Sequence, residues 1–182
     1  MSSDRLMYRE APIELVTYSP EWRGRFLAEV ALLRVTLGPW LVADLEHIGS
    51  TAVPGLLAKP IVDVMGPIES LEMSQAVIAA AERVGYCYFP YKPDQMHWFC
   101  KPSPNFRTHH LHLVRYRSSE WFDRLAFRDA LREDATLAAE YRDLKLELYA
   151  QHRHDREAYT DGKSVFVRAA VDKWRSRGLS AA

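Results

Sequence analysis

The hydrophobic pattern of this chain changes period at Ser119. Before that point, short apolar runs alternate with polar residues and are cut by Pro and Gly. After it, apolar residues recur every three to four positions almost to the end. Side chains alternate across a strand and share a face of a helix at spacings of three and four. The chain is therefore predicted to build a sheet-containing core first and to finish in helices. This excludes an all-helical bundle and an all-β sandwich.

Residues 13 to 18 alternate and read as a strand. Ser19-Pro20-Glu21-Trp22 is a helix-start signature. Trp22, Phe26, Val30, Leu33 and Leu37 then form one apolar stripe, which Gly38-Pro39 ends. Residues 43 to 48 and 61 to 65 read as short strands, the second closed by Gly66-Pro67, and residues 70 to 84 as a helix ending at Gly85. Residues 86 to 91, 96 to 101 and 109 to 115 are β-like runs, with Pro90, Pro93, Pro102 and Pro104 in the connections, as in an antiparallel meander. Helices are predicted over 119–133, 136–151 and 164–177. The expected fold is a single α/β (α+β) domain over residues 1–182, with a core over 13–117 and a helical C-terminal third.

At 182 residues the length fits one domain. No apolar run approaches the roughly 20 residues of a membrane helix, and residues 1 to 10 carry no apolar signal segment. A cytoplasmic location is expected, with Cys87 and Cys100 as reduced thiols. Lys plus Arg and Asp plus Glu number 24 each, so neither a membrane surface nor a polymeric nucleic acid is an expected partner. The charges are unevenly spread. Residues 86 to 117 hold five cations and one anion, together with His97, His109, His110 and His112. This local surplus suits a small phosphorylated ligand.

His47-Ile48-Gly49-Ser50-Thr51, followed by Lys59-Pro60-Ile61-Val62-Asp63, places a Gly-Ser turn after one strand and a carboxylate inside the next. Glycine permits a positive φ or a close approach of backbone to ligand. Successive backbone N–H groups with the Ser50 and Thr51 hydroxyls can form an anion nest, to which Lys59 adds a charge. A carboxylate in the middle of an apolar strand is costly unless it is paired or holds a cation. The alternative is an ordinary turn and a backbone-bonded Asp63.

The run from His47 to Met65 resembles the signature of the GrpB-like family, a branch of the nucleotidyltransferase superfamily. The similarity extends through Arg107-Thr-His-His-Leu-His-Leu-Val114, Phe127-Arg-Asp-Ala-Leu-Arg132, Tyr141-Arg-Asp-Leu-Lys145 and Tyr159-Thr-Asp-Gly-Lys163. The resemblance implies a small mixed sheet with flanking helices and a Gly-Ser turn, here Gly49 and Ser50, that holds phosphates. It also implies a pair of metal-binding carboxylates on the following strand, of which Asp63 matches the first. The second position holds Met65, and a thioether does not hold Mg²⁺. In some actinobacterial proteins a domain of this family is fused to a dephospho-coenzyme A kinase. This chain has no P-loop and resembles the stand-alone form.

In the strand at 109–115, His110 and His112 share one face, about 7 Å apart at Cα, while Leu111 and Leu113 share the other. If that strand neighbours the one carrying Asp63, the three residues form a two-histidine, one-carboxylate set able to hold a divalent metal, Mg²⁺, Mn²⁺ or Zn²⁺. In the helical third, Lys145 and Lys163 fall on motif positions of the resemblance. Tyr141 and Tyr159 are placed to close the same cleft, and Arg107 to clamp an oxyanion. Arg128 and Arg132 read as members of solvated ion pairs.

The leading expectation is a protein that binds a nucleotide or another phosphorylated small molecule and transfers a nucleotidyl or phosphoryl group. Asp63, His110 and His112 would be the catalytic and metal residues. Gly49, Ser50, Thr51, Lys59, Arg107, Lys145, Tyr159 and Lys163 would line the phosphate and substrate site. The alternatives are a non-catalytic accessory or binding module, favoured by Met65, and a biosynthetic enzyme using the His-carboxylate set.

Overall fold

In the computed structural model, which describes residues 12–72 and 75–179, the first helix, α1 (Glu21–Leu37), lays its predicted stripe on a sheet. Trp22, Val30, Leu33 and Leu37 are buried in the main core, and Phe26 packs against it. The sheet is formed by β1 (Glu46–Ile48), β2 (Val62–Ile68), β3 (Cys87–Phe89), β4 (Met96–Pro102) and β5 (Arg107–Arg115). Its order is β1-β2-β5-β4-β3. Strands β2 and β5 run parallel and the other pairs antiparallel, so the sheet is mixed. The parallel pair is joined by a crossover through α2 (Gln75–Arg83), β3 and β4, as parallel neighbours require.

Four helices follow: α3 (Ser119–Glu133), α4 (Ala135–His152), α5 (Arg156–Asp161) and α6 (Ser164–Leu179). Three begin at a side-chain cap. Ser118 accepts from the Trp121 N–H, Asp134 from that of Leu137, and Asp155 from that of Ala158.

The two faces of the sheet are covered differently. Val62, Val64, Leu111, Leu113 and Phe99 project toward α1 and α2 and form the main core. On the opposite face, Ile48, Met65, Met96 and Val114 pack under Trp121 of α3. A third cluster joins Val53 and Leu56 of the loop after β1 to Leu131, Tyr141 and Ala170 of α3, α4 and α6. Trp121 of α3 thus docks across β1, β2, β5 and β4, while α4 and α6 are joined to the loop after β1.

Three predicted elements differ from the structure. Residues 13 to 18 make only an isolated bridge, Val16 to Ala58, because no sheet edge lies beside them to pair with. The strand expected to stop before Gly66-Pro67 runs on to Ile68. A proline is tolerated there because the β1 ladder ends at Met65. The Pro67 carbonyl accepts from Val42 N–H at 3.1 Å on that side, so the missing N–H faces no strand partner. Gly66 is needed for contact, since an added Cβ would lie 2.7 Å from a Leu113 methyl. Finally, α5 lies between the last two predicted helices. The start of the helix predicted over 70–84 falls partly on residues 73–74, outside the described residues, as do residues 1 to 10.

Candidate functional site

The parallel pairing of β2 and β5 brings the site together. It sets Asp63 opposite His110 and Met65 opposite His112, on the face that α3 leaves partly open. His110 Nδ1 donates to Asp63 Oδ1 at 2.9 Å and His112 Nε2 to the same oxygen at 3.2 Å. Burial pushes the Asp63 carboxyl up, but the two imidazole N–H donors outweigh it and hold the group below the usual carboxylate range. Burial likewise pulls both histidines down, His112 to about 4 with help from Arg124. At neutral pH the arrangement is one carboxylate accepting from two neutral imidazoles. The other ring nitrogens, His110 Nε2 and His112 Nδ1, are buried without a partner.

These three residues are grouped so that they could hold one divalent ion. Ligand atoms bonded at roughly 2.0–2.2 Å to a tetrahedral centre lie about 3.3–3.5 Å apart. The Asp63 Oδ1 to imidazole distances of 2.9 and 3.2 Å are slightly shorter, and the three ligand atoms lie within 4.8 Å of one another. The donor set of two nitrogens and one carboxylate suits Zn²⁺ or Mn²⁺ better than Mg²⁺. Met65 is fully buried against Ile48, Met96, Val114 and Trp121 and offers nothing to an ion. In register, His112 stands beside it.

The Gly-Ser turn is shaped around the carboxylate. Gly49 takes φ 72° and ψ −175°, a conformation essentially reserved for glycine. A Cβ there would overlap Asp63 Oδ2 and lie 3.0 Å from its Cγ. Gly49→Ala is therefore expected to cost about 1–3 kcal/mol from backbone strain alone. It is also expected to displace Asp63. Urea denaturation measures the first effect, and divalent-metal binding the second.

Beyond the turn, the Ser50 hydroxyl is within 3.3 Å of the Lys145 ammonium, which also donates to the Leu57 carbonyl. Lys145 is 2% exposed, and its Nζ lies 4.8 Å from the centre of the Tyr141 ring. Lys59 and Lys163 stand over the Tyr159 ring, at 5.2 and 4.4 Å. Burial, reinforced by the neighbouring ammonium groups, pulls Lys145 and Lys163 down to about 7. Burial pushes the Tyr141 and Tyr159 phenols up. Lys59, Lys145 and Lys163, drawn from a loop, α4 and the turn before α6, thus act on one another, and Lys163 also feels the Asp63 carboxylate.

Most of the sequence-predicted residues meet here: Gly49, Ser50, Lys59, Asp63, His110, His112, Lys145, Tyr159 and Lys163. Arg107 lies at the far side of His110, its guanidinium 5.4 Å from the Trp98 ring centre. The Thr51 hydroxyl faces inward. It is 2% exposed, bonds His47 Nε2 at 3.0 Å and donates to the Ile61 carbonyl at 3.2 Å. It therefore holds the turn from beneath. Phe26 stacks on the His47 ring at 4.6 Å, and burial pulls that imidazole down to about 4.

The expected ion pairs of Arg128 and Arg132 with Asp129 are present, at 2.7 and 3.6 Å, but the two arginines also reach inward, which the solvated reading did not include. Arg128 donates to the Glu46 carboxylate at 2.7 Å and to the His47 carbonyl at 3.2 Å, with its side chain 12% exposed. Arg132 donates twice to the Ala52 carbonyl, at 3.0 and 2.8 Å. Both tie α3 to the backbone on either side of the Gly-Ser turn. Their spacing of four showed one helical face, but only docking decided what that face meets. Trp98 was also missed. Its signal was the alternation His97-Trp98-Phe99, which becomes informative once β4 is known to pair with β5.

Helices on both faces of a five-stranded mixed sheet, with a carboxylate–histidine cluster beside a glycine turn, define an α+β protein with a concentrated polar site on the sheet. The sequence profile of the GrpB protein family matches residues 12–173, and the chain belongs to that family. It is 38% identical over 160 residues to a UPF0157 protein of Pseudomonas aeruginosa, covering 85% of this chain and 64% of that one. It is 30% identical over 172 residues to a UPF0157 protein of Bacillus subtilis, covering 93% of this chain and 50% of that one. The chain thus spans between half and two thirds of the length of these relatives. The crystal structure of the conserved protein GrpB from Enterococcus faecalis superposes with a TM-score of 0.82 at 31% identity, covering 91% of this chain and 99% of that one. A shorter match, 38% identical over 82 residues, falls on the dephospho-CoA kinase of Mycobacterium leprae and covers 42% of this chain and 20% of that one. Among the described residues, no helix is long and apolar enough to cross a membrane.

Proposed function

We propose that this chain binds a phosphorylated small molecule or nucleotide and transfers its phosphoryl or nucleotidyl group to an acceptor. One observation carries the reading: Asp63, held by His110 and His112, lies near the mutually interacting ammonium groups of Lys59, Lys145 and Lys163. A cluster of mutually repelling, partly desolvated lysines is unfavourable until an anion joins it. A phosphate bound there would offset the repulsion among them, with the Ser50 hydroxyl and the backbone of the Gly49 turn as donors.

Asp63, His110 and His112 would hold a divalent ion, which would supply Lewis-acid polarisation of a phosphoryl oxygen. The lysines neutralise charge that builds on the non-bridging oxygens, while the aromatic rings of Tyr141 and Tyr159 exclude water from them. A bond from the acceptor oxygen to phosphorus forms as the bond to the leaving oxygen breaks, and the acceptor's proton passes through solvent to the leaving oxygen.

The test is thermal shift with nucleotides and pyrophosphate in Mg²⁺, Mn²⁺ and Zn²⁺, followed by product analysis. The expected result is stabilisation by phosphate ligands, enhanced by Mn²⁺ or Zn²⁺, with a transfer product. Met65 favours a second reading, a binding module without turnover, because its burial leaves a single carboxylate on the strand. Ligand binding with no product in any metal supports that reading. No stabilisation by any phosphate ligand overturns both.

A further inference from the structure

On the side of His110 away from β2, the sheet presents a cluster of rings. Trp98 of β4 lies directly beside β5, and its indole centre is 5.0 Å from that of the His110 imidazole. Phe89 of β3 and Tyr91 in the following turn meet the indole edge-on, at 5.8 and 6.3 Å. The Arg107 guanidinium stands over the indole at 5.4 Å. Trp98 and Phe89 are half-buried and Tyr91 is 46% exposed, so the cluster is open to solvent while being held firmly in place. Trp98 also packs against the apolar cluster of Met65, Met96 and Val114 beneath Trp121 of α3, which helps to fix its position.

We infer that Trp98 and Arg107 form a stacking subsite for a planar heteroaromatic base, so that the ligand of the adjacent phosphate site is a nucleoside phosphate. Three observations support this. His110 feels the charges of both Lys59 and Arg107, so it lies within reach of the lysine cluster and of the guanidinium over the indole. His110 bonds the Asp63 carboxylate at 2.9 Å and its ring lies 5.0 Å from the indole centre, so the two subsites adjoin through one residue. An indole face capped by a guanidinium, with further rings at its edge, is the chemistry that stacks bases. Stacking accepts any base because each presents a π-face, so tight discrimination among bases is not expected.

This inference rests on the phosphate-site reading above and narrows it from phosphorylated small molecules to nucleotides. Calorimetric titration with adenosine 5′-monophosphate, uridine 5′-monophosphate and ribose 5-phosphate separates the two, since only the base differs. Both nucleotides should bind at least about tenfold more tightly than ribose 5-phosphate. Trp98→Ala should remove that advantage and leave ribose 5-phosphate binding unchanged, which also shows that the variant is folded. Trp98→Phe should retain most of it. If ribose 5-phosphate binds and the nucleotides bind no better, or if Trp98→Ala keeps the preference, the base subsite is overturned and the phosphate site stands. If none of the three binds, the phosphate site fails and the base subsite falls with it.

Discussion

Asp63→Asn should abolish binding of Mn²⁺ and Zn²⁺ while the protein remains folded. The carboxylate is the only charged oxygen donor in the three-residue cluster, and an amide is a poor ligand for either ion. A loss of at least about 100-fold in metal affinity is expected, at the upper end of effects seen even for outer-shell groups. Folding should survive because the amide fits the same volume and its carbonyl oxygen can accept from both imidazoles, as Asp63 Oδ1 does. Both bonds then run to a neutral acceptor instead of a carboxylate, and roughly 1–3 kcal/mol of stability goes with the charge. Metal titration of tag-free protein, monitored by calorimetry, measures the affinity, and urea denaturation measures the stability. Undiminished metal binding in Asp63→Asn would remove the three-residue cluster as the metal site.

Lys145→Met should act in opposite directions on stability and binding. In the ligand-free protein the Lys145 ammonium is buried against Tyr141 and close to Lys59, which draws its pKa down to about 7 from an ordinary value near 10.5. The folded state then holds fewer protons than the unfolded chain between those two values. Stability contributed by this group therefore rises as pH climbs from about 7 to about 10.5, and below 7 the full cost of the buried charge is present. Lys163 follows the same sign.

Methionine has a similar length and no charge to desolvate. The variant should be more stable at pH 7 by roughly 1–3 kcal/mol, reduced by whatever the Leu57 carbonyl and Ser50 hydroxyl lose as hydrogen-bond partners. It should also show a flatter rise of stability between pH 7 and 10. Its affinity for a phosphate ligand should fall by about tenfold to a hundredfold, the usual worth of a charge-assisted hydrogen bond. Gained stability with lost binding marks a residue kept for function at a structural cost. Urea denaturation across pH and phosphate-ligand titration together read both effects, and a variant that loses stability at pH 7 contradicts the account.

The local elements were legible because their signals are local. The α1 stripe is a matter of spacing, and the caps at Ser118 and Asp134 are a matter of residue type. The alternation in β5 placed His110 and His112 on one face whatever the strand pairs with. The failures share a physical cause, since each depends on a partner distant in sequence. Residues 13 to 18 have strand chemistry but no neighbouring edge. Pro67 sits inside β2 because its β1 partner has ended. Arg128 and Arg132 have the spacing of a solvated face, yet they reach buried carbonyls and a carboxylate some 80 positions away.

The sequence by itself determined the α+β class, the Gly-Ser turn, the shared face of the two histidines and the identities of the charged groups. Each of these follows from spacing or side-chain chemistry within a few residues. Tertiary structure alone decided that β5 lies parallel to β2 with His110 opposite Asp63, that three lysines from separate elements act on one another near that carboxylate, and that Trp98 flanks the same histidine. Strand register and helix docking minimise the free energy of the whole apolar core, with Val62, Val64, Leu111 and Leu113 buried on the reverse face of these strands. The site is assembled by packing on the side of the sheet opposite to it, and no window of the chain contains that information.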